Sequence, residues 1–294
     1  MPFSYHDETK ELNELTRQEA SGSFIQLSDG IAHYELSNPH ATDTVVLVHG
    51  FSVPYFIYDP TFEFLTQSGF RVVRYDLFGR GFSDRPETQY DIDFFVRQLE
   101  DLLDALGMGI AQPVNLVGLS TGGPISTVFT ALHPERVNKL VLIDPVGAKP
   151  LPYALALKVA TMPLVGEVIA NLLRSDNLGS SFASRFFDRE LVEHFQSRYI
   201  VQMQYKGFRY AILSTIRSNM LGSFLKIYER VGQMNKPVLL FWGQNDTTVP
   251  YEHSSLLQTV IPDIQFHAIE NCGHTPHYEK PSEVNPILLD FLRK

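Results

Sequence analysis

The chain has 294 residues, 44% of them hydrophobic and 19% charged, with 21 Phe and 13 Tyr. A chain this apolar must bury a core, which excludes disorder, and the length suits one large domain or one domain carrying an insertion. Its 24 Lys and Arg against 33 Asp and Glu leave a net charge of −9 with no basic run, a poor match for phosphate backbones or an anionic membrane surface, so no nucleic-acid partner is expected.

In chain order, residues 1–20 mix acids and bases and lack the apolar centre of a signal peptide. Phe24–Leu27 and Ile31–Leu36, joined through Ser28-Asp29-Gly30, predict a hairpin. Short apolar, β-branched runs follow at Thr44–Val48, Arg71–Tyr75, Val114–Gly118, Lys139–Ile143, Lys236–Phe241 and Ile264–Ile269. Runs without polar alternation suit strands covered on both faces. Between them, Phe95, Leu99, Leu102, Leu103 and Leu106 recur at helical spacing, and Val284–Leu292 repeats the pattern near the end. Strand–helix alternation predicts an α/β fold with a mostly parallel sheet wrapped by helices.

The alternation breaks after Ile143. Residues 146–235 read as helices only, over Tyr153–Leu157, Leu164–Arg174, Glu190–Gln204 and, in pieces, Phe208–Arg230. The greasy stretch Leu151–Leu173 is interrupted by Pro152, Lys158, Pro163 and Glu167, short of the about 20 apolar residues a bilayer helix needs. We therefore expect no integral membrane association and a cytoplasmic location. The domain reading is a core of residues 1–145 and 236–294, with a helical cap at 146–235 over the carboxyl ends of the strands.

The sharpest local pattern is Gly118-Leu119-Ser120-Thr121-Gly122, directly after one predicted strand and before a helical stretch. G-x-S-x-G in that context places a serine on a turn so tight that the flanking positions must lack a Cβ. Pro124 falls in the first helical turn, where a missing N–H costs little. A serine needs a base and an orienting acid. Asp246 follows the strand ending at Phe241-Trp242-Gly243, and His274 follows Ile264–Ile269, so both sit at strand ends in the order Ser, Asp, His. The Phe51 and Thr121 N–H groups are candidates for an oxyanion hole, each donor contributing about 2.7–4 kcal/mol to the transition state. Phe51, Gly50 and Leu119 would line the substrate site. His49 reads as a buried loop holder, His277 as structural, Cys272 as a packing residue, and Asp144 as an alternative acid. Asp76 and the Gly79–Ser83 loop read as braces between neighbouring loops. A lone cysteine excludes a disulfide and a cysteine-based zinc site, and no metal or cofactor-binding residues are expected.

These segments together resemble the α/β-hydrolase superfamily: His49-Gly50-Phe51, Asp76 through Pro86, Gly118–Gly123, Gly243 through Pro250, and Gly273-His274. The branch it looks like holds bacterial carboxylesterases, monoacylglycerol-lipase-like enzymes and carbon–carbon bond hydrolases, and implies an eight-stranded sheet, no cofactor, and Ser120, His274 and Asp246 as nucleophile, base and acid. Ser120 in place of Asp sets the chain apart from the haloalkane dehalogenases and epoxide hydrolases that resemble it. Many carbon–carbon hydrolases read Ser-Met-Gly-Gly where this chain reads Ser-Thr-Gly-Gly; perhydrolases often share Ser-Thr-Gly-Gly but place Gly at the position of Pro124.

The sequence-level expectation is a serine carboxylic-ester hydrolase, acting on a small-molecule ester with a short- to medium-chain acyl or aryl group. Tyr153, Leu157, Met162, Leu164, Phe182, Phe186, Phe187, Met203, Tyr205 and Phe208 would supply an apolar cleft. Two alternatives stand beside it. One is a carbon–carbon hydrolase of diketone acids, whose carboxylates would meet Arg174, Arg185, Arg189, Arg198 or Arg209. The other is a small-molecule receptor on the same fold. Monomer and dimer are both compatible with the sequence.

Overall fold

The computed structural model describes residues 5–151, 157, 159, 161–172 and 191–294. Eight strands form one sheet: β1 (Ser23–Leu27), β2 (Gly30–Ser37), β3 (Thr44–Val48), β4 (Arg71–Tyr75), β5 (Val114–Leu119), β6 (Val137–Ile143), β7 (Val238–Gly243) and β8 (Gln265–Ile269). Their order is β1-β2-β4-β3-β5-β6-β7-β8; β1–β2 and β2–β4 are antiparallel and all other pairs parallel. The predicted runs recur as strands, with Val114–Gly118 extended to Leu119, and the Lys139 strand beginning at Val137.

The helices are α1 (Glu14–Glu19), α2 (Asp59–Gln67), α3 (Ile92–Ala105), α4 (Gly122–Leu132), α5 (Val165–Leu172), α6 (Leu191–Met203), α7 (Phe208–Arg217), α8 (Leu225–Gly232), α9 (His253–Val260), α10 (Pro276–Glu279) and α11 (Pro281–Arg293). Residues alternate along β3 between two apolar cores: Val46 and Val48 meet the cluster of α3, α4, α8 and α9, while Val45 and Leu47 meet that of α2 and α11. Both faces are covered, which is why the parallel strands read as unbroken apolar runs. Phe195, Tyr199, Met203 and Phe208 of α6 and α7 join the second cluster.

The segment between β6 and β7 carries α5 to α8. All of the predicted helix at Tyr153–Leu157 except Leu157, and the residues Arg174, Phe182, Arg185, Phe186, Phe187 and Arg189, lie outside the described residues. No helix among the described residues is long and apolar enough to cross a membrane. An N-terminal arm straps this segment. Lys10 N–H donates to Gln204 O at 2.8 Å and Lys206 N–H returns to Lys10 O at 2.9 Å. The buried Glu8 carboxylate accepts the N–H groups of Gly207 and Arg209, both at 2.7 Å, at the start of α7.

From β3 the chain runs to β4 on one side, while β5 lies on the other. This is the switch point of a parallel sheet, where diverging loops open a crevice at the carboxyl ends. His49 and Ser120 leave those two strands side by side, since Val48 pairs with Gly118.

Candidate active site

Ser120 sits at φ +53, a left-handed conformation that costs a non-glycine residue energy. The strain is held by three backbone bonds: Ser120 N–H to Ile143 O at 2.9 Å, and the Gly123 and Val146 N–H groups to Ser120 O at 3.0 and 3.1 Å. The flanking glycines are sterically required. A Cβ on Gly118 would lie 2.4 Å from Gly122 O, and one on Gly122 would lie 2.2 Å from Val48 O. Gly50 is pressed on the serine itself, where a Cβ would come within 3.0 Å of Ser120 Cβ.

The loops after β7 and β8 bring Asp246 and His274 together. His274 Nδ1–H donates to Asp246 Oδ2 at 2.7 Å, and Asp246 Oδ1 accepts the N–H groups of Thr248 and Val249 at 2.7 and 3.0 Å. The two loops close on one another. Asn245 N–H reaches Cys272 O at 2.9 Å, and Gly243 is tight enough against Gly273 O that a Cβ would lie 1.9 Å from it. Beyond His274 the chain turns back to the nucleophile's strand. His277 lies over Tyr58 at 4.6 Å, and the Tyr58 hydroxyl lies 3.1 and 3.2 Å from Val48 O and Val117 O on β3 and β5. Ser120 Oγ and the His274 ring are not hydrogen-bonded to one another, a looseness common before substrate binds.

Asp144, the alternative acid, stands beside this pair without bonding the histidine. It is fully buried at φ +42, and its Oδ1 accepts Gly243 N–H at 2.9 Å. Burial, then the charge of Asp246, pushes its carboxyl well above the usual carboxylate range, so it is neutral. Asp144, Asp246 and His274 offer atoms within 4.8 Å of one another. With one carboxyl protonated and Nδ1 committed to Asp246, the grouping is a hydrogen-bonded cluster more than a ligand set. Sequence spacing could not show that β6 and β7 bring two carboxyls together; only the pairing of those strands does.

The Phe51 and Thr121 N–H groups have no hydrogen-bond acceptor among the described residues, leaving both available to a ligand. Thr121 caps α4, so its amide lies at the positive end of that helix. His49 is buried and bridges the loop: its Nε2 accepts Leu77 N–H at 2.9 Å and its Nδ1–H donates to Gly50 O at 2.8 Å. Burial lowers its pKa to about 4, so the ring is neutral. Leu119 and Cys272 are both buried within the second apolar core. Burial raises the Cys272 thiol far above its ordinary pKa, so it stays protonated. Asp76 braces three segments, bonding the His33 ring and the Tyr55 and Phe82 N–H groups and facing Gly81, where a Cβ would strike it at 1.9 Å.

The residues expected to line an apolar cleft differ in burial. Met203, Tyr205 and Phe208 are buried, but Met162 is 55% and Leu164 77% exposed. Helical apolar spacing does not say which side of an inserted helix meets the core. Arg198 and Arg209, candidates for a substrate carboxylate, are already paired with Asp59 and with Asp7.

The α/β hydrolase fold family matches residues 43–281. Among curated proteins, 2-hydroxy-6-oxononadienedioate/2-hydroxy-6-oxononatrienedioate hydrolase 2 of Pseudomonas putida is 30% identical over 292 residues, covering 94% of this chain and 98% of its own. Hydrolase 1 of the same name and organism is 29% identical over 296 residues, covering 96% and 99%. A meta-cleavage product hydrolase from Pseudomonas fluorescens superposes with a TM-score of 0.76 at 24% identity, covering 92% of this chain and 97% of that one, a likeness of fold.

These relatives overturn the expectation of a carboxylic-ester hydrolase and of the carboxylesterase and monoacylglycerol-lipase branch. The substrate in the two curated names contains no ester, so hydrolysing it must break a carbon–carbon bond. The error has a physical origin: G-x-S-x-G, aspartate and histidine specify attack on a carbonyl, not which atom leaves. The chain belongs to the α/β-hydrolase fold family and is a hydrolase.

Proposed function

We propose that this protein hydrolyses a carbon–carbon bond in a 2-hydroxy-6-oxo dienoic acid. The likeness to the two Pseudomonas putida hydrolases, spanning nearly the whole of both chains, carries the reading. Ser120 is the nucleophile, His274 the base and acid, Asp246 the group that orients the imidazole, and the Phe51 and Thr121 amides the oxyanion donors. Residues 146–235 form a cap over a core of 1–145 and 236–294. The strained Ser120 turn, the 2.7 Å Asp246–His274 bond and the two uncommitted amides support these roles.

In such a substrate the dienol must first become the 2,6-dioxo tautomer, because only then can carbon leave with its electron pair. Ser120 adds to the C6 carbonyl as His274 Nε2 takes its proton, and the oxyanion develops against the two amides. Collapse breaks C5–C6, with the electrons delocalised through C3=C4 onto the C2 oxygen as a dienolate. His274 returns its proton to that fragment, then activates water to release the acid from Ser120. A dioate also needs a cation for its carboxylates; with Arg198 and Arg209 paired, Arg174, Arg185 and Arg189 are the ones to substitute.

The test is release of the two carboxylic-acid fragments, followed by chromatography and mass, on mixing enzyme with 2-hydroxy-6-oxononadienedioate, with Ser120→Ala alongside. Fragment release by wild type that vanishes in the variant is expected. A folded wild-type protein that leaves the substrate uncleaved refutes the reading.

A further inference from the structure

Three consecutive carbonyls surround the Phe51 amide, and each is held by a different buried side chain. Gly50 O accepts His49 Nδ1–H at 2.8 Å, Phe51 O accepts Arg80 Nε–H at 2.8 Å, and Ser52 O accepts Gln202 Nε2–H at 2.7 Å. His49 is local, but the other two lead away from the core. Gln202 lies on α6, and its Oε1 also accepts Gly81 N–H at 2.9 Å. Arg80 extends its Nη2 to Thr215 Oγ1 on α7 at 2.8 Å and its Nη1 to Phe78 O at 3.2 Å.

Arg80 is an unusual group to bury. It is fully inaccessible, forms no ion pair among the described residues, and lies 5.3–5.8 Å from the rings of Phe51, Tyr90 and Phe95. A desolvated cation kept on neutral acceptors is costly unless its geometry is useful. Here each of its three acceptors belongs to a different element: the loop after β3, the loop after β4, and α7. Thr215 is itself fixed, since its hydroxyl donates to Ala211 O at 2.7 Å and presents a lone pair to the guanidinium.

We propose that Gln202 and Thr215 are positioning residues for the oxyanion loop. Gln202 holds the Ser52 carbonyl directly and Thr215 holds the Phe51 carbonyl through Arg80. The aim of the Phe51 N–H is thereby tied to the seating of α6 and α7 against the core. The inference rests on the reading of the Phe51 amide as an oxyanion donor. Its consequence is that a substrate which seats these two helices correctly gains in turnover, because the donor is brought to bear on the transition state and not on the ground state.

The test uses a 4-nitrophenyl alkylphosphonate, which forms a tetrahedral adduct on Ser120 and needs the same donors without any carbon–carbon cleavage. Adduct formation is followed by intact mass, giving a maximal rate and a half-saturating concentration, alongside the melting temperature. Thr215→Val and Gln202→Leu are expected to lower the maximal rate by ~10- to 100-fold with little change in half-saturation, and Thr215→Ser to restore it. Unchanged maximal rates in folded Thr215→Val and Gln202→Leu would overturn the proposal, as would Thr215→Ser failing alongside Thr215→Val. If Gln202→Leu does not fold, the Thr215 pair alone decides. A wild type that is phosphonylated but leaves the dienoate intact refutes only the substrate reading. One that is not phosphonylated refutes the Ser120 assignment and this inference with it.

Discussion

Among the described residues, two histidine–aspartate pairs share the same bond length, His274–Asp246 and His33–Asp76, both Nδ1 to Oδ2 at 2.7 Å. Their difference lies on the far side of each ring. His33 Nε2 is closed by Ser21 O at 2.6 Å, and the ring is stacked between Phe24 and Tyr55 with 2% of the side chain exposed. His274 keeps 15% exposed and has no protein partner on Nε2 among the described residues. The same couple is a brace where both nitrogens are spent, and leaves a nitrogen able to exchange a proton where one remains free.

The largest expected effect breaks this comparison at the free nitrogen. His274→Gln should lower kcat by about 10⁴-fold with the melting temperature kept. His33→Gln should do the reverse, leaving kcat in place while Asp76, stripped of its partner in the core, costs about 3–5 kcal/mol in denaturant titration. Next come the two acids. Asp246→Asn should cost about 10⁴-fold in kcat by disturbing the tautomer. Asp144→Asn should cause no comparable loss, because an amide replaces a carboxyl that is already neutral. If the two lose activity equally, the assignment of Asp246 alone as the orienting acid is wrong.

The pH dependence of stability sharpens the contrast further. Burial would lower the His33 pKa, but the hydrogen bond and charge of Asp76 raise it; burial would raise Asp76, but His33 lowers it. The His33 contribution is therefore full below its unfolded pKa, about 6.5, and fades as pH rises through the folded value. That of Asp76 is full above about 3.9 and fades as pH falls through its own folded value. The stability gap between wild type and His33→Gln should thus peak between about pH 4 and 6.5. His277 has the opposite sign. Burial, aided by the charge of His274, lowers its pKa to about 3, so the unfolded chain protonates first. Wild type should lose up to about 1.4 kcal/mol per pH unit below pH 6.5 through it, a slope His277→Phe should remove. The smallest effect belongs to the solvent-exposed Lys294–Asp290 pair, where Lys294→Ala should leave the melting temperature unmoved.

Much of this frame was legible because backbone geometry restricts residue type. Gly118 and Gly122 can be read as a tight turn from sequence because no Cβ fits there, and Asp246 and His274 because each follows an apolar run that could only be a buried strand. Side chains that act across elements carry no such mark. Nothing in the neighbours of Gln202 or Thr215 says that they reach Ser52 and Arg80, at 150 and 135 positions' separation. The leaving group was illegible for another reason, since ester and diketone acid present the same carbonyl to the same serine.

The arm that straps α7 has a consequence for biosynthesis. Glu8 and Gly207 are 199 positions apart, so at about 5–20 residues per second the arm leaves the ribosome roughly 10–40 s before its partner is made. Until then its carboxylate stays hydrated, and only afterwards is it drawn into the buried setting that raises its pKa. The arm is thus made well before it can dock, and its closing registers that the segment between β6 and β7 beneath it has folded.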